Sequence, residues 1–356
     1  MAHEKKAFFR ISVLVVLTGY ILYAGIGISS GVSYVQEWTI DMGESPPSEL
    51  VSDPAWIPFI VDNYFGYVSS DGSRLYKSEV QGRVALLPDA FCNYDRLGNN
   101  LVIHDPVQNY MYPIDGLGYP FAKNGLFFII SADMTGLSVL TPRGEVLFNL
   151  RFISLITSVD CRGGIISVGL LKGVTEIFDT DGNYITGIES RGSRINAVYG
   201  TAVAPEGKMI AVCHGIDPQY ISLYTRQIDQ YILEKRAAVN EQLRSQVIMD
   251  FSDDSLQLLV ETAEGVRLMG TVDPFNLVDI PLAGDLIDYK LPVLREPLFL
   301  LSTDGNRSFL GMYQRDGAMF NREVWEGQAT WLYTSRDALY IGFDDSLTRI
   351  AMSRGL

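Results

Sequence analysis

The chain has 356 residues, 47% of them hydrophobic, and carries a formal net charge of −14 at pH 7. A negative surface of this size disfavours binding to nucleic acid and to anionic lipid headgroups, because both recruit lysine and arginine. The three cysteines, Cys92, Cys161 and Cys213, are too few and too far apart for a disulfide framework. We therefore expect buried free thiols.

The N-terminal segment is the one stretch of the sequence long and apolar enough to cross a bilayer. Residues 11–28 include no charged side chain, and these 18 residues would cover about 27 Å as a helix. Lys5, Lys6 and Arg10 precede this run, whereas the first charged residue after it is Glu37. Because basic residues remain on the cytoplasmic side, the pattern predicts a transmembrane helix at 11–33 with residues 1–10 in the cytoplasm.

This topology predicts a single-pass protein of the inner (cytoplasmic) membrane whose C-terminal domain is periplasmic or extracellular. A cleaved secretory signal peptide is the alternative, since residues 25–27 and 27–29 loosely meet the small-residue rule for cleavage. Residues 34–57 are predicted to hold a closing strand, within Tyr34–Ile40, followed by a linker rich in proline, serine and acidic residues.

A repeat organises residues 58–356. A polar turn, usually with Gly or Asp, is followed by four to six β-branched, aromatic or leucine residues, then by a second turn and another short strand. Eight segments share this pattern: 62–68, 96–103, 123–130, 162–168, 205–212, 253–260, 295–301 and 336–342. Two hairpins per roughly 40 residues are typical of the four-stranded blade of a β-propeller. One such sheet has two apolar faces that it can bury only between neighbours, so the blades must form a closed ring.

The chain thus resembles the superfamily of WD-repeat-like (WD40-like) and quinoprotein-like β-propellers in its architecture, across roughly residues 35–354. It has no Gly-His…Trp-Asp signature, and its four tryptophans cluster near the two ends instead of repeating along the chain. The resemblance implies an all-β fold of seven or eight four-stranded blades, which follow the transmembrane helix that the apolar run predicts. Eight turn signatures favour eight blades, whereas the 27-residue interval from Arg96 to Lys123 keeps seven open. The last unit ends after two or three strands, so we expect Tyr34–Ile40 to complete it.

Motifs for chemistry are absent from the sequence, so no catalytic, cofactor-binding or metal-binding residue is predicted. His104 and His214 follow β-type segments without a nucleophile motif, and we interpret both as hydrogen-bonded residues of strand ends. The segment Asp179–Asn183 begins like a calcium loop but lacks the terminal glutamate, which favours an Asp-Gly hairpin turn. Gly163-Gly164 has no helix after it that would bind phosphate.

Residues 233–246 differ from their surroundings because they combine good helix formers with several charges. We interpret them as an enlarged, solvated hairpin; a short exposed helix that binds a partner is the alternative.

Two functions remain open at this point. The first is a membrane-tethered, extracytoplasmic propeller that serves as a protein-binding scaffold in an envelope complex, with protein partners, a membrane contact through the N-terminal helix and no cofactor. The second is an enzyme or small-molecule sensor with a site in the central channel. Acidic residues converging with His104 or His214 around a deep pocket would favour the second, and an apolar patch on one rim would favour the first.

Overall fold

The computed structural model describes residues 32–44, 56–106, 110–114, 116–239, 243–291, 297–335 and 337–354. Within these ranges the regular secondary structure is entirely β, in 31 strands, and the strands form eight separate antiparallel sheets. The predicted all-β propeller is confirmed, and of the two blade counts left open it has eight.

The strands follow in chain order. The first is β1 (Val32–Asp41), and blade 1 contains β2 (Ile57–Val61), β3 (Tyr64–Val68) and β4 (Leu75–Glu79). Blade 2 contains β5 (Arg83–Leu86), β6 (Phe91–Tyr94), β7 (Val102–Asp105) and β8 (Tyr110–Pro113); blade 3 contains β9 (Gly118–Lys123), β10 (Leu126–Ser131), β11 (Gly136–Leu140) and β12 (Val146–Arg151). Blade 4 contains β13 (Ile156–Arg162), β14 (Ile165–Leu170), β15 (Val174–Asp179) and β16 (Tyr184–Glu189); blade 5 contains β17 (Ile195–Val203), β18 (Met209–Ile216), β19 (Gln219–Gln227) and β20 (Gln230–Val239). Blade 6 contains β21 (Met249–Phe251), β22 (Gln257–Thr262), β23 (Gly265–Gly270) and β24 (Leu277–Pro281); blade 7 contains β25 (Asp285–Lys290), β26 (Leu298–Thr303), β27 (Arg307–Tyr313) and β28 (Met319–Glu326). Blade 8 contains β29 (Ala329–Thr334), β30 (Ala338–Phe343) and β31 (Ser346–Arg354), and β1 joins it.

The first strands of neighbouring blades lie next to one another around the axis, as β13 does with β17 and β25 with β29. The ring therefore has two faces. We call the face with the turns between first and second strands, and between third and fourth strands, the inner-turn face. We call the opposite face, with the turns between second and third strands and the connections between blades, the connector face.

Apolar side chains fill the interfaces between the blades. Among the described residues they form eight clusters, and each cluster draws its members from two adjacent blades. Phe127 of blade 3, for example, packs with Ile103 of blade 2, while its neighbour Phe128 packs with Ile166 of blade 4. Consecutive residues of a strand point to opposite faces of the sheet, so each blade is buried on both sides. This is the physical reason for the repetition that the sequence analysis inferred.

Blade 1 differs from the others because its three described strands take the positions of second, third and fourth strands. The Asn93 amide near the end of β6 donates a hydrogen bond to the Glu79 carbonyl at the end of β4 (2.8 Å), which places the end of β4 on the connector face. The Tyr67 hydroxyl donates to the Leu87 carbonyl in the β5–β6 turn (2.8 Å), which places the end of β3 on the inner-turn face. β2 therefore runs from the inner-turn face to the connector face.

This position explains the short interval that kept seven blades open. The turns at residues 62–63 and 96–100 join second to third strands, whereas from Asn124 onward the repeated turns join first to second strands. The register of the sequence repeat thus slips by one strand between blades 2 and 3, which shortens one interval without removing a blade.

β1 closes the ring. It pairs antiparallel with β31 from Val32 opposite Arg354 to Asp41 opposite Ser346, with a bulge between Gln36 and Trp38. The Glu37 carboxylate at this bulge forms an ion pair with Arg349 of β31. The pairing expected for Tyr34–Ile40 is present, and it covers the edge that β31 would otherwise expose.

The segment at 233–246 contains no helix in its described residues. Residues 233–239 form the second half of β20, which pairs with β19 along its length, and residues 243–247 follow as a loop. The helical alternative is wrong for these residues. Lys235 lies over the Phe275 ring (3.9 Å from its centroid) and Arg236 donates to Ser222 Oγ (3.2 Å), so the charges that suggested a helix serve contacts of the strand.

Candidate functional site: a charged axial cavity and an apolar face

A cavity of about 340 Å³ lies among the inner strands of four blades. It opens near the inner-turn face, because its lining comes from the last residues of β9, β13, β21 and β25 and from the turns that follow them. The lining residues are Lys123, Asn124, Asp160, Arg162, Asp250, Phe251, Asp253, Asp288, Tyr289, Lys290 and Leu291. Four carboxylates and three basic groups therefore face one small volume.

Asp160 is the most deeply buried of these acids, with 2% of its side chain exposed. One carboxylate oxygen accepts a hydrogen bond from the backbone N–H of Val203 in blade 5 (2.6 Å). The other forms an ion pair with Lys123 of blade 3. This single carboxylate thus joins three consecutive blades, and the hydrogen bond and the ion pair together compensate its loss of hydration.

Arg162 connects blade 4 to blade 6. Its Nη1 donates to the Phe251 carbonyl (2.9 Å) and lies 3.5 Å from Asp250 Oδ1, while its Nη2 pairs with Asp253. The guanidinium is planar and has five N–H donors, which suits it to several acceptors at once. It fixes the positions of two of the acids that line the cavity.

Two of the acids are held in environments that favour their protonated form. Burial, assisted by the charge of Asp160, raises the pKa of Asp250, and the Tyr289 hydroxyl donates a hydrogen bond to this carboxyl (3.3 Å). Burial also raises the pKa of Asp288 to about 6, although the backbone N–H groups of Leu332 and Tyr289 donate to its oxygens (2.8 Å each). A carboxyl with a pKa near 6 exchanges protons close to neutral pH.

The cavity can therefore bind a small polar ligand that carries charges of both signs. Its volume lies at the lower end of the range usual for small-molecule sites. Among the described residues that line it there is no serine, threonine, cysteine or histidine that would serve as a nucleophile or an imidazole base. Within the described part of the chain, no group of three or more His, Cys, Asp or Glu side chains is arranged to hold a metal ion.

The two histidines of the described residues lie away from this cavity and from each other. His104 is in β7 of blade 2, where its ring stacks on Phe91 (4.9 Å between centroids), and burial lowers its pKa. His214 is in β18 of blade 5, fully buried, with Nε2 at 3.0 Å from Ser222 Oγ. Burial and the charge of Arg236 lower the pKa of His214 to about 4. Acids do converge on the axis, but neither histidine joins them.

The two glycine-containing segments that resemble ion-binding loops, Asp179–Asn183 and Gly163-Gly164, form hairpin turns. In the turn after β15, the Asp179 carboxylate accepts backbone N–H groups of Asp181 and Asn183 (3.0 and 2.8 Å), and Gly182 has a φ of 86°. Local hydrogen bonds occupy the carboxylate as in any Asx turn, which agrees with the predicted Asp-Gly hairpin. Gly163 and Gly164 form the β13–β14 turn.

The cysteines conform to the prediction of free thiols. Cys92, Cys161 and Cys213 are all unpaired and buried. Burial raises the pKa of Cys92 and Cys161 to about 11 and that of Cys213 to about 12, so these thiols stay protonated and unreactive at neutral pH.

The connector face presents a set of exposed aliphatic side chains across blades 2–5. They stand in turns between second and third strands, in connections between blades, or at the first residue of a first strand. They are Leu97, Leu117, Ile153, Leu155, Leu171 and Ile195. Backbone hydrogen bonds join these loops in two pairs, from Leu171 N–H to the Leu155 carbonyl (2.9 Å) and from Gly118 N–H to the Gly98 carbonyl (3.2 Å). We call this set the aliphatic patch.

Ion pairs lie among the residues of the aliphatic patch. Arg151 pairs with Asp133 in blade 3 (2.6 Å). Near the connection from blade 4 to blade 5, Arg191 pairs with Glu189 (2.5 Å) and Arg194 pairs with Asp217 (2.8 Å). Each pair balances its own charge. Exposed apolar side chains grouped on one face are a mark of a protein-binding surface.

A second, smaller cavity of about 180 Å³ lies between the outer parts of blades 5 and 6, also toward the connector face. Its lining includes Val239, Val266 and Ile280. Arg267 also lines it and forms a bidentate salt bridge with Asp279 (2.6 and 2.9 Å). Arg267 also donates to the Ala238 carbonyl (3.0 Å). Because its N–H groups donate to Asp279 and to the Ala238 carbonyl, the Arg267 guanidinium stabilises the interface between blades 5 and 6.

The predicted transmembrane helix at 11–33 lies outside the described residues, apart from Val32 and Ser33; the predicted end at residue 33 is wrong, because these two residues pair with β31 as part of β1. In the portion of the chain that the structure describes, no helix has the length and apolarity needed to cross a membrane.

Comparisons with known proteins agree with this architecture. A curated relative, an uncharacterized protein of Treponema pallidum (strain Nichols), is 22% identical over 358 aligned positions, which cover 98% of this chain and 94% of the relative. Among solved structures, BamB from Moraxella catarrhalis superimposes with a TM-score of 0.60 at 10% identity, covering 90% of this chain and all of that one. The computationally designed Ika8 protein gives a TM-score of 0.58 at 12% identity over 83% of this chain and 95% of its own. Hsv2p of Kluyveromyces lactis gives 0.54 at 13% identity, over 77% and 97%. At these identities the structural likenesses concern the fold. A family model described as beta-propeller protein matches residues 1–355, and the chain therefore belongs to the β-propeller protein family.

Proposed function

We propose that this protein is a membrane-tethered, extracytoplasmic β-propeller that acts as a protein-binding scaffold in an envelope complex. The observation that carries the proposal is the aliphatic patch. Six aliphatic side chains are exposed on one face of the ring, and backbone hydrogen bonds join two pairs of the loops that carry them. Leaving them in water has a cost of roughly 1.5–3 kcal/mol for each large side chain relative to full burial, which a partner would remove.

The tether rests on the sequence. Residues 11–28 form an uncharged run of spanning length with basic residues before it and acidic residues after it. This pattern supports an anchor with the propeller outside the cytoplasm, in the periplasm or the extracellular space.

The test is purification of the tagged full-length chain from detergent-solubilised membranes of cells that produce it. We expect the chain in the membrane fraction after alkaline washing, and a protein partner at stoichiometric yield after purification. Recovery of the chain from the soluble fraction would contradict the tether. Recovery of the chain by itself from membranes would contradict the scaffold.

The alternative function, a small-molecule sensor with a central-channel site, is favoured by one observation. The axial cavity places Asp250 and Asp288, both with raised pKa, beside Arg162 and Lys290. A zwitterionic ligand that raises the melting temperature of the wild-type protein, but not of the Asp250→Asn variant, would support the sensor over the scaffold.

A further inference from the structure

The direction of β1 shows on which face the N-terminal segment leaves the propeller. At its far end, Met42 N–H donates to the Asp345 carbonyl in the β30–β31 turn (2.7 Å), which lies on the connector face. At its near end, Val32 pairs with Arg354, close to where Met352 N–H donates to the Asp337 carbonyl in the β29–β30 turn (2.7 Å). Val32 therefore lies on the inner-turn face, at the rim of blade 8.

The chain between this point and the predicted anchor is short. Three residues, 29–31, separate Ile28, the last residue of the 18-residue run proposed to span the bilayer, from Val32, so the two points are at most about 14 Å apart in a fully extended chain. β1 itself has ten residues and spans about 30 Å from face to face. A bilayer that holds residues 11–28 can reach the inner-turn face at blade 8, but turning the connector face toward the lipid would require a longer tether.

The aliphatic patch is also remote from blade 8 around the ring. It extends over blades 2–5, and blade 4 lies opposite blade 8 in a ring of eight. Even if the ring stood on its edge with blade 8 next to the lipid, Ile153 and Leu171 would lie on the far side.

We infer that the inner-turn face is turned to the bilayer, and that the aliphatic patch points into the aqueous compartment and docks a water-soluble protein. This inference rests on the proposed anchor and deepens the proposed scaffold. It excludes lipid as the occupant of the patch, because the tether emerges on the opposite face. It also assigns the mouth of the axial cavity to the membrane-proximal side.

Two isoleucines provide matched positions for a test. Ile153, in blade 4 on the connector face, is 91% exposed, and Ile228, in the β19–β20 turn of blade 5 on the inner-turn face, is 89% exposed. They occupy adjacent blades on opposite faces. Since the three native thiols are buried, a maleimide dye will label an introduced cysteine selectively.

The experiment uses the full-length Ile153→Cys and Ile228→Cys variants, labelled with a donor dye and inserted into phosphatidylcholine vesicles whose outer headgroups carry an acceptor dye. We expect at least twofold greater energy transfer from position 228 than from position 153. Equal transfer, or greater transfer from position 153, would overturn the orientation. If neither variant floats with the vesicles in a density gradient, the anchor itself is wrong, and this outcome is distinct from a wrong orientation.

A photo-crosslinker attached to the same two cysteines in membranes of the producing cells tests the occupant. We expect position 153, and not position 228, to give an adduct with a protein that alkaline washing would otherwise release from the membrane. Adducts of position 153 with lipid, with an integral membrane protein or with the chain's own N-terminal segment would overturn the inference.

Discussion

At the residue scale, the axial cavity depends on acids placed inside inner strands. Asp160 stands between Val159 and Cys161, and Asp250 stands between Met249 and Phe251. An acid flanked by strand-forming apolar residues, in the first strand of a blade, was the signal available in the sequence. This signal does not predict the cavity, because the sequence does not show which strands meet across the channel. Ring closure determines which strands meet.

The buried carboxylate of Asp160 is expected to contribute more to stability than its neighbour Asp253. Replacement by alanine leaves the buried Val203 N–H without an acceptor and Lys123 without its partner. We expect Asp160→Ala to lower the free energy of unfolding by about 2–4 kcal/mol. Asp253→Ala, at a side chain that is 48% exposed, should lower it by about 0.5 kcal/mol. Urea unfolding measures both, and equal midpoints would contradict the role given to Asp160.

Asp288 should make stability depend on pH. Its pKa rises from 3.8 in the unfolded chain to about 6 in the folded one, so the folded state binds the proton more tightly. The resulting stabilisation is complete below pH 3.8 and is lost as the pH rises through about 6. Between pH 3.5 and 7.5 the wild type should therefore lose on the order of 2–3 kcal/mol more than Asp288→Asn does.

Urea titrations of both proteins across this pH range provide the measurement. Parallel pH profiles would show that Asp288 titrates in the folded protein as it does in the unfolded chain. The asparagine keeps one acceptor for the N–H of Leu332, so the comparison concerns the slope with pH and not the absolute stability at one pH.

At the scale of elements, local chemistry determines the turns, and the sequence therefore predicted them well. Asn124 and Gly125 both have positive φ, of 48° and 80°, as a tight hairpin turn requires. The sequence also predicted the Asp179 turn and the pairing of Tyr34–Ile40 with the last unit. The position of each strand within its blade was harder to predict, because the strands of a blade look alike in sequence. The repeated turns accordingly join second to third strands before Lys123 and first to second strands from there on.

The residues at 233–239 show where propensity failed. Leu233 to Ala238 are good helix formers, but they continue an outer strand whose partner, β19, is already in place. Pairing with a preformed edge outweighed an intrinsic preference of a few tenths of a kcal/mol per residue.

β1 is the element on which ring closure depends. It pairs with nine residues of β31, and Trp38 packs against the Tyr340 ring (5.9 Å between centroids). A chain that begins at Met42 should melt at least ~5 °C below one that begins at Val32, because it exposes the β31 edge and part of the blade 8 core. The chain beginning at Val32 is the control for loss of residues 1–31. Identical melting temperatures would show that β1 contributes nothing to closure.

At the scale of the whole molecule, the sequence repeat predicts the fold but does not predict the candidate site. Eight similar sheets follow from the spacing of turns, since each can bury its faces only against neighbours. The cavity and the aliphatic patch arise where unlike blades meet, as between Arg162 of blade 4 and Asp253 of blade 6. Contacts between residues 91 positions apart leave no local pattern in one sequence.

The two faces of the ring divide the proposed roles. The inner-turn face carries the axial cavity and the end of β1 at Val32. The connector face carries the aliphatic patch, about 30 Å away along the strand direction of β1. The proposed tether on one face would leave the other face free for a partner.

The most direct measurement of the central claim, that the aliphatic patch binds a protein, compares two matched variants of the tagged full-length chain. Ile153→Asp places a charge in the patch, and Ile228→Asp places the same charge at an equally exposed isoleucine on the other face. Quantitative mass spectrometry after purification from membranes should recover the partner with wild type and Ile228→Asp, and at least tenfold less of it with Ile153→Asp. Equal recovery with the two variants, or a loss confined to Ile228→Asp, would contradict the account.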